Sequence, residues 1–125
     1  MEELKFFTPA FVGFFIIQLP SASEVSNLEN LKKVLLKICQ EARLIPNGEM
    51  SILKLISPEP NCPAYGLSQQ LTTSVISLDG WPEYHRVIII LHSCKYFKIT
   101  GMRKAILSVY PQAEILRQKF IDWSI

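Results

Sequence analysis

Thr72-Thr-Ser-Val-Ile-Ser-Leu-Asp-Gly-Trp-Pro-Glu-Tyr-His-Arg-Val-Ile-Ile-Ile-Leu-His-Ser-Cys94 is the stretch whose reading decides the fold. Gly80 and Pro82 mark a turn between two apolar runs, about Leu71–Asp79 and Arg86–Cys94, so the pair reads as an antiparallel hairpin. Val87 to Leu91 is unbroken and apolar, as a central strand should be. A turn centred near Tyr84 places Ser74 opposite Cys94, and directly opposed residues share a sheet face. A hydroxyl and a thiol then face each other across the hairpin. A slip of one residue would part them.

Working outward, Ala10–Leu19 is a first strand, rich in Phe and Ile and stopped by Pro20. Its apolar core, Phe11 to Leu19, is far shorter than the roughly 20 residues that span a bilayer. Glu2 and Glu3 outweigh Lys5 ahead of it, unlike the positive start of a secretory signal. Ser26-Asn-Leu-Glu29 has the spacing of a capping box. Leu28, Leu31, Val34, Leu35, Ile38 and Ala42 follow at helical intervals, and Pro46-Asn-Gly48 closes the unit. Met50–Ser57 is a second strand, followed by a Pro-rich loop from Pro58 to Gly66. Past the hairpin come a helix over Met102–Tyr110 and a last strand over Ala113–Trp123.

The order β-α-β-β-β-α-β predicts an α+β two-layer sandwich, a mostly antiparallel sheet with two helices on one face. Strand residues are apolar on both sides, so a homodimer that stacks two sheets is expected to cover the other face. The 125 residues make one domain, 1–125, and 49% hydrophobic content is enough for a core. A net charge of +2, from 13 basic and 11 acidic residues, argues against the massed positive face of a nucleic-acid binder. Cys39, Cys62 and Cys94 form no CxxC and read as reduced thiols of a cytoplasmic protein with no membrane anchor. His92 and Cys94 lie two apart as metal ligands do, but two donors make no metal site.

Gly80-Trp-Pro-Glu-Tyr84, with Ser74 seven residues before Trp81 and Cys94 thirteen after it, resembles the small prokaryotic S-adenosylmethionine decarboxylases. The close match spans residues 63 to 94. The resemblance implies self-cleavage between Thr73 and Ser74. The serine hydroxyl attacks the preceding carbonyl, and elimination then leaves a pyruvoyl group derived from Ser74. That group forms a Schiff base with the substrate amine and draws electrons as carbon dioxide leaves, so the chain makes its own cofactor. The same resemblance makes Cys94 the acid that reprotonates the product carbon. It makes Glu83 the acceptor for ribose hydroxyls, and Ser68, after a two-residue deletion, the upstream processing serine. The substrate would be a small molecule, S-adenosylmethionine for polyamine synthesis or another amino acid, and no nucleic acid or membrane is involved.

The sequence departs from the pattern where processing chemistry resides. The family histidine that assists α-proton removal falls at Asp79, and the flanking glutamate and histidine are Thr73 and Val75. Aspartate has a reference pKa of about 3.9 against about 6.5 for histidine, which makes it the poorer base. Plainer readings stand beside each role. Ser74 is by default a satisfied strand serine, Cys94 a small buried hydrophobe, Asp79 a turn former, Glu83 a solvated carboxylate. Trp81 and Tyr84 are expected to pack. An unprocessed relative that binds a nucleoside-like ligand or a partner subunit is the alternative to an enzyme.

Overall fold

The computed structural model describes residues 10–123. β1 (Phe11–Gln18) alternates buried with half-buried residues along its length. Phe11, Phe15 and Ile17 join the core, and Val12, Phe14 and Ile16 point to the other face. Period-two alternation is what a strand with one covered face requires. A short helix α1 (Ala22–Val25) follows, capped by Ser21, whose Oγ accepts from the Glu24 amide at 3.3 Å. α2 (Leu28–Glu41) buries Leu31, Val34, Leu35, Ile38 and Cys39 along one stripe.

The α2 cap differs from the capping-box expectation by one residue. Asn27 supplies it, its Oδ1 accepting from the Asn30 amide at 3.1 Å. Ser26 instead donates to the Pro63 carbonyl at 2.8 Å, and Glu29 pairs with Lys32 at 3.6 Å. Both side chains of the expected box are thus engaged elsewhere.

β2 (Ser51–Leu55) is shorter than expected and exposed throughout. β3 (Ala64–Gln70) corrects the expected order, which has the Pro-rich loop to Gly66 and no strand before Leu71. Ala-Tyr-Gly-Leu-Ser-Gln-Gln carries little β-branched content. It is a strand because β2 and β4 pair with it on both sides and Leu67 anchors it in the core. β4 (Ser74–Trp81) begins later than expected, since Leu71 to Ser74 closes a tight turn with the Leu71 amide on the Ser74 carbonyl at 2.8 Å. A 3-10 turn (Pro82–Tyr84) leads to β5 (Arg86–Ser93). α3 (Ile99–Val109) starts three residues earlier than its apolar periodicity suggested, and β6 (Glu114–Asp122) completes the sheet.

The six strands run in the order β2-β3-β4-β5-β1-β6, antiparallel at every junction. The core lies between this sheet and the helices, so the fold is α+β in two layers, with six strands and three α-helices among the described residues rather than the expected five and two. The opposite face carries Val12, Phe14, Ile16, Val75, Ile88 and Ile90, none of them fully buried. No helix among the described residues is long and apolar enough to cross a membrane. Cys39 lies inside the layer, and burial pushes its thiol up to about 11. At neutral pH it is an inert packing group.

Gly13 lies directly beneath Met102 of α3 and the Phe97 ring that precedes the helix. A Cβ there would strike the Met102 sulfur and lie 2.8 Å from the Phe97 ring. Gly13→Ala is therefore expected to cost about 1–3 kcal/mol, the usual penalty of overpacking, read as a lowered midpoint in urea unfolding with the slope unchanged.

Candidate functional site

The β4–β5 hairpin positions the candidate residues, and its register is set by the core. Ile76 opposes Leu91, Leu78 opposes Ile89 and Gly80 opposes Val87, so every buried position faces another buried position. This pairing runs one residue out from the expected one. Ser74 stands opposite Ser93, not Cys94. The expected register would have set Ile76 against His92 and forced an exposed histidine row into the apolar layer. Four residues, Pro82 to His85, fill the turn, and His85 closes it in the left-handed region with φ 55°.

Ser74 and Ser93 are 5% and 0% exposed, on the helix side of the sheet. The Ser74 hydroxyl donates to Ser93 Oγ at 2.9 Å, and Ser93 donates onward to the Lys95 carbonyl at 2.7 Å. The Lys95 amide donates back to Ser93 Oγ at 2.9 Å. Thr73 Oγ1 lies 3.4 Å from Ser74 Oγ. Cys94, just past the strand and half-buried, still reaches the junction. Its backbone N–H donates to the Thr73 carbonyl at 3.3 Å. That carbonyl is the one a Ser74 hydroxyl would attack, and a donated hydrogen bond polarises it toward addition.

Other expected residues lie elsewhere. Asp79 is exposed on the face opposite Ser74, between Gly66 and Ile88 in its row, and roughly 16 Å further along the strand at 3.3 Å per residue. Ser68 stands on that same open face in a row with Ser51 and Ser77. His92 shares that face, and His85 sits in the turn. The two partners of the Ser74 hydroxyl are thus hydroxyls, with no carboxylate or imidazole bonded to it.

At the far end of the hairpin, Glu83 lies in the 3-10 turn with its Oε2 shut off from solvent and without a hydrogen-bond partner. Trp81 and Tyr84 do not pack into the core as expected. They are 45% and 58% exposed, with ring centroids 6.0 Å apart. Ser93 is the residue that sequence reasoning missed. An even-numbered turn, required to align the apolar runs of both strands, would have pointed to it.

No family model and no curated protein sequence matches the chain. Among solved structures, the adenosylmethionine decarboxylase from Aquifex aeolicus VF5 superposes with a TM-score of 0.68 over 94% of this chain and 90% of that one. Sequence identity is 14%. The likeness therefore extends to the fold across nearly the full length of both chains.

The serine pair makes a measurable prediction. Ser93→Ala leaves the Ser74 hydroxyl and the Lys95 amide without a buried acceptor, and should cost about 1–3 kcal/mol. Adding Ser74→Ala should recover part of that loss, giving a coupling of roughly 1 kcal/mol in a double-mutant cycle followed by denaturant unfolding.

Proposed function

We propose that the chain is a pyruvoyl-dependent decarboxylase of the S-adenosylmethionine decarboxylase type, processed between Thr73 and Ser74. The single observation that carries this reading is the Cys94 N–H on the Thr73 carbonyl, beside a Ser74 hydroxyl already held by Ser93. The residues at this junction fit the first half of cofactor formation. With Ser93 holding its hydroxyl in place, Ser74 Oγ adds to the polarised carbonyl carbon, the Thr73–Ser74 C–N bond breaks, and the hydroxyl proton ends on the freed Ser74 nitrogen, so the amide becomes an ester. A pyruvoyl group, once formed, supplies an electron-withdrawing carbonyl for loss of carbon dioxide.

In this reading Cys94, held against the cleavage point by its own backbone, donates the proton that the product carbon needs. Glu83 has an Oε2 with no internal donor, as an acceptor for hydroxyls needs, but it stands at the opposite end of the hairpin, roughly 23 Å along the strand from Ser74, too far to share one small substrate with it within a chain. The substrate is a small amine-bearing molecule, with S-adenosylmethionine the first to try. A homodimer stacked through Phe14, Ile16, Ile88 and Ile90 would cover the open face. Three unpaired thiols suit a cytoplasmic enzyme.

A second reading has its own observation. The elimination step needs a base at the Ser74 α-proton, and Asp79 and Ser68 both stand on the opposite face. An unprocessed relative that binds a nucleoside-like ligand or a partner subunit needs no such base.

Denaturing mass spectrometry separates the two. Fragments 1–73 and 74–125, the latter with an N-terminal pyruvoyl mass and both absent from Ser74→Ala, are expected of the decarboxylase. A persistent 14.3 kDa chain that splits only in hydroxylamine would place the halt at the ester, and one that resists hydroxylamine would mean no acyl shift at all. Either result excludes the cofactor and leaves the binding protein.

A further inference from the structure

Two segments of the chain flank the Thr73–Ser74 junction, and both border one cavity of about 600 Å³. On one side Lys95 lines it, and the Lys95 amide and carbonyl are both bonded to Ser93 Oγ, the partner of Ser74. On the other side Arg43 lines it, two residues before Ile45, whose carbonyl accepts from the Thr72 amide at 3.2 Å. Lys95 Nζ joins the two sides by donating to the Arg43 carbonyl at 3.5 Å. The Tyr96 ring forms an apolar wall, 56% exposed and backed by Phe11 and Phe120 at 5.6 and 5.9 Å between ring centroids. A cavity of this volume holds a small molecule.

The charge around it is one-sided. Lys98 and Lys104 join Arg43 and Lys95 in the lining, against one acid, Glu41. Among the described residues the ion pair is Glu29 with Lys32, so no salt bridge neutralises any of these four cations. Clefts lined by one sign of charge concentrate ligands of the other. S-Adenosylmethionine carries an ammonium and a sulfonium against one carboxylate, a net cation that this lining repels. An amino acid with a second acidic group is a net anion, and the lining attracts it. The cations suit the acidic group that stays on the product. A cation held on the α-carboxylate would stabilise the ground state and oppose its departure as neutral carbon dioxide.

We infer that the substrate is an amino acid with a second anionic group, a carboxylate or a phosphate, which Arg43, Lys98 and Lys104 hold in this cavity. The inference rests on the decarboxylase reading and changes its substrate from a net cation to a net anion. The α-carboxylate leaves as carbon dioxide, one proton takes its place on the α-carbon, and the second anionic group stays on the amine product.

Binding is read on the full-length Ser74→Ala chain, which needs no processing, in ¹H–¹⁵N correlation spectra at constant ionic strength. L-Aspartate and O-phospho-L-serine are the carboxylate and phosphate probes, and S-adenosylmethionine and L-lysine the cationic ones. Saturable shifts at the Lys95, Tyr96, Lys98 and Gly101 amides are expected with an acidic probe, and binding at least about tenfold weaker with the cationic ones. Lys98→Glu combined with Lys104→Glu changes two exposed side chains. It should keep a native spectrum and weaken binding of the acidic probe about tenfold. Wild-type protein that mass spectrometry shows to be cleaved should release carbon dioxide from the same acidic probe and not from S-adenosylmethionine. Cationic probes bound as tightly as acidic ones, no saturable shift, or an unchanged titration in the double variant would overturn this inference alone. An uncleaved wild-type chain would overturn the decarboxylase reading, and the substrate with it, whatever the binding spectra show.

Discussion

The pairing of β4 with β5 governs most of what this molecule can do, because the helix-covered core accepts only one register. Ile76, Leu78 and Gly80 meet Leu91, Ile89 and Val87 across the ladder, and β1 repeats the match on the far side of β5, with Phe15 against Ile89 and Ile17 against Val87. Burying a large aliphatic side chain is worth about 1.5–3 kcal/mol, so a slipped register would forfeit several such terms at once. No single polar contact competes with that sum. Ser74 and Ser93 meet because apolar neighbours put them there, and their hydrogen bond is the way two buried hydroxyls on that face satisfy one another.

The same alternation splits the hairpin into two chemical environments. The helix side holds Ser74 and Ser93 among aliphatic residues, and the open side holds Asp79, Trp81, His92 and the half-buried Val75. At the turn end the layers are stitched by α1. Val25 comes within 3.1 Å of where a Gly80 Cβ would stand, and the helix packs on the Pro82–Tyr84 turn.

Much of this arrangement is legible in the amino-acid sequence. Period-two and period-3.6 apolar patterns gave β1, α2, β4, β5 and α3 within a few residues, because burial writes those periods directly. β3 is not legible in that way. Ala64, Gly66, Gln69 and Gln70 lack strand propensity, and only neighbours on both sides make the segment extended. Ser74 stands out by its spacing from Trp81, but its partner does not, since the difference between Ser93 and Cys94 is one turn residue. The left-handed His85 that closes the turn belongs to a residue type enriched in that conformation, but a lone histidine is a far weaker turn signal than Asn-Gly or Asp-Gly. Asp79 misleads for a related reason. Spacing along a strand says nothing of which face a residue occupies until the register is known.

The four-residue turn from Pro82 to His85 also bears on how this chain can change over generations. Substitutions there leave the ladder alone, and an added residue is taken up by the loop, because the core and not the turn holds the register. Sliding Cys94 into line with Ser74 would instead turn every β5 side chain to the other face, with His92 and Ile90 entering the core and Leu91 and Ile89 leaving it. That route is closed to a folded descendant. New chemistry at this hairpin has to arise by exchanging side chains at fixed positions. A histidine or carboxylate that is to act on Ser74 must be acquired on the helix side, in place of an aliphatic residue and at the expense of the core that holds the hairpin in register.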